Sequence, residues 1–286
     1  MIYKLNKDDP GFPEMLREIN MPPSQIYCNG NVELLKSPCV AIVGSRRCTQ
    51  YGVTVAKSIG KRLAENGVTI VSGMARGIDT AAHKGALEAE GNTIAVFGCG
   101  LDLCYPSENR GLKREIEKNG LIISEYSVGM EAKPFTFPER NRIISGISES
   151  VIIVEAANRS GSLITAELAA DQGRNVYAVP GNITSEASFG SNKLIREGVK
   201  PLILIDDVLT DMGITPGCEE NIMLRLGEDE RSVYSVVKKS SEVTFEEICA
   251  ATSLSPAAVS GIVTVLEMKG IVVSSMGKVF IDKIVY

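Results

Sequence analysis

From Cys39 onward, short apolar runs alternate with longer amphipathic stretches. The runs cover residues 40–43, 68–71, 94–97, 121–123, 151–154, 176–179 and 202–205. Runs of Val and Ile without polar alternation predict strands buried on both faces. Between them, residues 53–66, 79–90, 108–119 and 163–172 read as helices, each followed by a glycine: Gly67, Gly91, Gly120 and Gly173. Glycine enters the left-handed region cheaply, so each predicts a helix stop. Regular strand–helix alternation predicts a mostly parallel sheet with helices on both faces. Ligands on such a sheet bind beyond the carboxyl ends of the strands.

The pattern divides the chain. Residues 1–38 are short, polar and proline-containing, and read as an entry segment with one small helix near residues 14–19. Residues 39–210 form the α/β domain, and residues 211–224 read as a linker with Gly213, Pro216 and Gly217. In residues 225–286, helices are expected at 228–239, 244–251 and 255–269, the second with Thr244 as N-cap and Glu247 closing a capping box. A hairpin around Met276-Gly277 follows. Three helices and a hairpin is the winged-helix order, a relative of helix-turn-helix.

Composition narrows the class. Hydrophobic residues make up 44% and charged residues 23% of the 286-residue chain, which is ordinary for a globular protein. No run of 18 apolar residues predicts a membrane span, and residues 1–9 lack a signal-peptide pattern, so a cytoplasmic location is expected. Seven cysteines without a Cys-x-x-Cys pair, and one histidine, give poor support to a metal site. Buried thiols in a reducing compartment are the expectation, with no cofactor. The net charge of -5 argues against a general nucleic-acid binder, unless the charges are unevenly distributed.

They are uneven. The loop after residues 40–43 is Gly44-Ser45-Arg46-Arg47. Glycine lets a ligand approach the backbone, the following helix offers free N–H groups to an anion, and two arginines add planar phosphate donors. It is neither Gly-x-Gly-x-x-Gly nor a Walker loop. Residues 72–79 supply Gly73, Arg76, Gly77 and Asp79, which is placed to cap the helix that carries His83. His83 stands at i+4 from Asp79, so a hydrogen bond between them is expected rather than catalysis. Gly98 and Gly100 suggest close backbone approach in residues 98–106.

Residues 133–142 are the most telling, packing Lys133, Phe135, Phe137, Arg140, Asn141 and Arg142 into ten positions. Aromatic faces stack bases while cations neutralise phosphates, the mixture used for unpaired strands. Pro138 is expected at the first helical position, which places the two arginines in the first turn. Cations cost about 0.3–1 kcal/mol each there, so a nearby anion is expected. Ser160, Gly161 and Thr165 form a nest before a helix, and residues 180–193 add Lys193. Together with Arg159, these side chains are expected to converge on one sheet edge as a cationic groove for single-stranded DNA, with no catalytic residue.

These stretches resemble the DNA-processing protein DprA (Smf) family. The resemblance rests on Gly44-Ser45-Arg46, on residues 72–83 (SGMARGIDTAAH), on residues 137–146 (FPERNRIISG) and on residues 161–165 (GSLIT). It implies an extended Rossmann-like α/β fold that binds single-stranded DNA, a homodimer, and delivery of RecA recombinase onto incoming DNA in natural transformation or recombination. It implies no catalysed reaction. The family's DNA-pocket residues fall on Gly44, Ser45, Arg46, Lys133, Phe137, Arg140 and Asn141.

The C-terminal module fits duplex DNA poorly. Residues 255–268 contain no Arg or Lys, so a recognition helix there has few contacts to offer, and a protein-contacting or regulatory role is expected. An alternative reading is a nucleoside-monophosphate phosphoribohydrolase-like enzyme that uses Glu167, which follows Gly161. Its Pro-Gly-Gly loop is absent, and residues 137–142 would go unexplained.

Overall fold

In the computed structural model the described residues are 2–216, 226–240, 242–269 and 271–281. The chain forms two compact units that divide after Ile203.

The first unit runs β1 (Ile2–Asn6), α1 (Glu14–Arg17), β2 (Gln25–Gly30), β3 (Cys39–Val43), α2 (Gln50–Glu65), β4 (Thr69–Ser72), α3 (Ile78–Glu88), β5 (Thr93–Phe97) and α4 (Arg110–Asn119). It continues through β6 (Leu121–Ser124), α5 (Thr136–Gly146), β7 (Ser150–Ile153), α6 (Gly161–Asp171), β8 (Asn175–Ala178), α7 (Phe189–Arg196) and β9 (Lys200–Pro201). Nine strands form one sheet in the order β1-β2-β6-β5-β4-β3-β7-β8-β9. All neighbours from β6 to β9 are parallel, whereas β1–β2 and β2–β6 are antiparallel. Every residue of β3 to β7 is buried, as the unbroken apolar runs require. Residues from α1, α5 and α6 form one core with Ala41, Val43, Ile94, Ile123 and Ile153, and Leu112 and Ile116 of α4 form another with Ala95, Phe97 and Ile122.

Several details differ from the sequence reading. Residues 2–38 contribute two strands to the sheet edge. In β2, Ile26 and Cys28 are buried between partly exposed neighbours, a two-residue alternation too short to stand out. Residues 202–205 are not a strand, and Lys200–Pro201 takes the edge position instead. Helix α2 stops as expected, with Gly67 at φ 79°, and Gly173 is at φ 70°. After α3, however, the left-handed residue is Glu90, not Gly91, and Gly120 lies at φ -146°. A Cβ on Gly120 would approach the Thr93 carbonyl to 2.4 Å, so steric room, not helix termination, demands that glycine.

In the second unit, α8 (Asp206–Asp211) precedes a winged-helix module: α9 (Glu228–Ser240), β10 (Val243–Thr244), α10 (Phe245–Thr252), α11 (Pro256–Met268), β11 (Val272–Ser275) and β12 (Lys278–Ile281). The Thr244–Glu247 capping box is formed. Met276 (φ 52°) and Gly277 (φ 77°) both take the positive φ that a two-residue hairpin with the sheet's own twist requires. Its core comprises Val233, Val237, Ile248, Val259, Val263, Leu266 and Val279, with others. Among the described residues, no single helix is long and apolar enough to cross a membrane.

Helices α2 and α3 touch backbone to backbone. A Cβ on Gly85 would lie 2.1 Å from the Lys57 carbonyl oxygen, and one on Gly60 would lie 2.5 Å from that of Ala82. Gly85→Ala therefore forces the helices apart. Overpacking of this kind costs about 1–3 kcal/mol, against about 1 kcal/mol regained in helix propensity. The urea midpoint of the variant should fall; a midpoint at or above the wild-type value contradicts this packing.

Candidate nucleic-acid interface

Strand order reverses at β3: the chain builds β4, β5 and β6 on one side, then crosses to lay β7 on the other. In open α/β sheets the crevice at such a switch, beyond the carboxyl ends, is where ligands bind. Here the loop leaving β3 and the loop leaving β7 meet, and Glu155 ties them together. Its carbonyl accepts from the Ser45 N–H (2.7 Å). Its carboxylate, in a side chain only 1% exposed, accepts from the Thr49 N–H (2.8 Å) and the Thr49 hydroxyl (2.6 Å) at the start of α2. A Cβ on Gly52 would sit 2.5 Å from Oε2 of Glu155, and one on Gly44 would meet Ile78 at 2.6 Å and the Glu155 carbonyl at 2.9 Å. These glycines thus make room for the protein's own groups, the Glu155 carboxylate at Gly52 and Ile78 with the Glu155 carbonyl at Gly44. The anion position at the first helix terminus is filled by an internal carboxylate.

Beside this knot lies a cleft of about 1030 Å³. Gly44, Ser45, Arg46, Arg47, Lys133, Phe137, Arg140, Asn141, Ser160, Gly161 and Thr165 all line it. The guanidinium of Arg46 lies over the Phe137 ring, 4.8 Å from its centroid, and the ring of Tyr105 stands 5.3 Å away on a tilted plane. Tyr105 is 52% exposed. Lys133 sits 5.9 Å from the centroid of the exposed Phe135 ring, so neither phenylalanine is a core residue. Ser160 caps α6, its hydroxyl accepting from the Ser162 N–H. The Asn141 amide donates to the Gly161 carbonyl (3.3 Å), joining the α5 and α6 walls.

Other expected ligands fall elsewhere. Arg76 lines an adjoining hollow of about 220 Å³ and forms a bidentate pair with Glu108 at 2.8 Å. Arg142 is turned away and bound to Glu125. Lys193, on α7, pairs with Glu197 at 3.6 Å, and the turn before α7 presents Glu186 to the cleft instead. Arg159 is exposed outside the lining. Helix α5 begins at Thr136, with Phe135 as its cap, so Pro138 is the third residue rather than the first. Thr136 anchors that start by donating to the Gly98 carbonyl at 2.6 Å.

Arg140 is in the cleft floor but only 3% exposed. Its guanidinium donates to the Gly73 carbonyl (2.7 Å) and to the Val96 carbonyl. Burial lowers its pKa to about 10, with Asp79 opposing that shift, so it stays charged at neutral pH. Burial likewise raises the Asp79 carboxyl, against the pull of Arg140. The anions that balance Arg140 and Arg142 are therefore protein carboxylates. Removing Arg140 would take a charged donor from the Gly73 and Val96 carbonyls and leave Asp79 buried without its cation, so it is a structural cation. Asp79 does not cap α3: Gly77 holds that position at φ 75°, and the Asp79 carboxylate accepts from the Ala75 N–H (3.2 Å).

His83 does not bond Asp79. Its Nδ1 contacts the Thr93 hydroxyl at 2.7 Å, which itself donates to the Ile70 carbonyl. Complete burial lowers the His83 pKa from 6.5 to about 3, which keeps the ring neutral at neutral pH. Cys28, Cys39 and Cys99 are buried, their pKa values pushed up by desolvation to about 12, 12 and 11. Among the described residues no His/Cys/Asp/Glu cluster could hold a metal ion. Glu167 is exposed outside the cleft lining, which removes the residue on which the phosphoribohydrolase alternative rested.

Sequence reasoning passed over Tyr105 and Glu155. Tyr105 lay in a loop noted only for its glycines, and Glu155 follows an apolar run with nothing to mark a capping role. Two predictions follow from the buried groups. Glu155→Gln turns an amide N–H₂ toward a donor and should cost about 1.5–3 kcal/mol, since hydrogen bonds to charged groups have that value; an unchanged urea midpoint contradicts the role. For His83, protons enter the unfolded chain first, so stability held above pH 6.5 is lost as pH falls toward 3. His83→Gln should flatten that part of the pH–stability profile; identical acid slopes for both proteins contradict it.

Comparison with known proteins identifies the family. The family model "DNA recombination-mediator protein A" matches residues 4–213, and the "DprA winged helix domain" matches residues 224–278. The DNA processing protein DprA of Streptococcus pneumoniae is 48% identical over 205 residues, 71% of this chain and 72% of that one. Protein Smf of Synechocystis is 36% identical over 285 residues, covering 91% and 72%. The X-ray structure of the pneumococcal protein aligns with TM-score 0.71 at 45% identity, over 73% of this chain and 74% of that one. DNA processing protein A of Helicobacter pylori, whose structure was described for its single-stranded-DNA binding mode, aligns with TM-score 0.67 at 33% identity, covering 74% and 95%. On the match of both domains and these identities, the chain belongs to the DNA recombination-mediator protein A (DprA/Smf) family.

Proposed function

We propose that the chain binds single-stranded DNA in the switch-point cleft, shields it, and hands it to RecA recombinase as a homodimer during transformation or recombination, without catalysing a reaction. The observation that carries the reading is the Arg46–Phe137–Tyr105 stack, flanked by Arg47 and Lys133. Bases stack on aromatic and guanidinium faces at about 1–3 kcal/mol each, and the free cations take phosphates. Family membership supports it, as does the binding mode described for the Helicobacter pylori relative. RecA delivery rests on kinship with the DprA family. The homodimer likewise rests on kinship with the family.

In this reading the α/β unit holds the DNA and residues 225–286 contact protein. Helix α11, the recognition helix of the winged-helix order, carries Glu267 as its one charged side chain. That acid accepts from Ser274 at 2.6 Å.

Fluorescence anisotropy with labelled oligothymidylate at two salt concentrations tests the reading. Arg46→Ala and Phe137→Ala should each weaken binding about five- to a hundredfold. Arg46→Ala should also lower the log–log salt slope by about 0.7, one phosphate contact. Unchanged affinity in both, or tighter binding to duplex, rejects the proposal. Deleting residues 225–286 should leave most of the affinity; its collapse would put the site in the winged helix.

A further inference from the structure

A second cavity, of about 670 Å³, adjoins the cleft and shares Tyr105 and Ala132 with it. It lies between the loop leaving β5 and helix α4. Arg110 and Arg114, one turn apart on α4, line it and are exposed. Neither makes a hydrogen bond or ion pair among the described residues. Like charges at this spacing repel, and no carboxylate is paired directly with either guanidinium among the described residues.

The acids here are largely committed. Glu117 accepts from Lys113 (2.9 Å) and from the Asn29 amide (3.0 Å). Asp102 accepts from the Gly129 N–H (2.9 Å). Asp102 and Glu131 therefore balance the two arginines in charge, but neither is within ion-pair distance of them, so both guanidiniums are open to a ligand. On the dividing edge stands Tyr105, half-exposed, lining both cavities and held beside Phe137. An aromatic on a ridge between the cleft and two exposed arginines is placed to stack a base while the backbone crosses.

We propose that this second cavity continues the DNA path: an unpaired strand leaves the cleft over Tyr105, and Arg110 and Arg114 bind its phosphates. This rests on the single-strand reading of the cleft. It makes affinity depend on length, because a short oligonucleotide is held by the cleft alone and a longer one also reaches α4.

The test measures dT5 and dT15 binding to the full-length wild type, Arg110→Ala/Arg114→Ala, Tyr105→Ala, and a charge-matched control, Lys84→Ala/Lys118→Ala, whose lysines are exposed and outside both cavities. The arginine variant should bind dT15 about tenfold more weakly, with the salt slope reduced by about 1.4 for two phosphates. Its dT5 affinity should stay within twofold of wild type. Tyr105→Ala should weaken dT15 further than the lysine control does. Wild-type dT15 affinity in the arginine variant, equal loss on both lengths, or the same loss in the lysine control overturns the extension while leaving the cleft reading intact. Failure of the wild type to bind either oligonucleotide defeats the cleft reading itself.

Discussion

The site depends on one buried carboxylate. Glu155 fixes the loop leaving β3 through its carbonyl and the start of α2 through both carboxylate oxygens. Two elements on either side of the switch point are thereby locked in register, and Gly52 leaves the room that the carboxylate fills. A charged acceptor inside the protein forms hydrogen bonds about twice as strong as neutral ones. By occupying the first helix terminus, it also closes the place where related α/β sheets bind nucleotide phosphate. The open surface is left to the α5 and α6 walls and to Arg46.

An acidic chain can hold a cationic cleft because its charges are sorted by partner. Arg76, Arg142 and Lys193 are matched to Glu108, Glu125 and Glu197. Arg140 is matched to the floor carbonyls and to Asp79. Arg46, Arg47 and Lys133 remain along the cleft, with stacking to aromatic rings for two of them. Net charge is an average over all of these, so it says nothing about the cleft. Cationic side chains backed by aromatic faces, rather than by carboxylates, keep their electrostatic reach toward a polyanion.

The sheet was legible because burial on both faces leaves continuous apolar runs, and the winged helix because its capping box and hairpin turn use residues of narrow conformational range. β1 and β2 were not, since an edge pair needs only Ile26 and Cys28 to face the core. In the cleft, the clustering of Arg46, Lys133, Phe137 and Ser160 followed from where strands end. What sequence could not assign was partnership. Arg140 and Arg142 look like phosphate ligands until Asp79 and Glu125 are seen beside them, because those acids are distant in the chain. Glycines were likewise read as room for a ligand, although Gly44 and Gly73 make room for Ile78 and the Arg140 guanidinium.

The central claim is that an unpaired strand lies against the aromatic stack of the α/β unit. Photo-crosslinking of oligothymidylate to the full-length protein, with the adducts located by mass spectrometry, addresses it directly. The account predicts adducts on Phe137 and Tyr105. Adducts confined to residues 226–281, or absent from the peptides that carry these two rings, would contradict it.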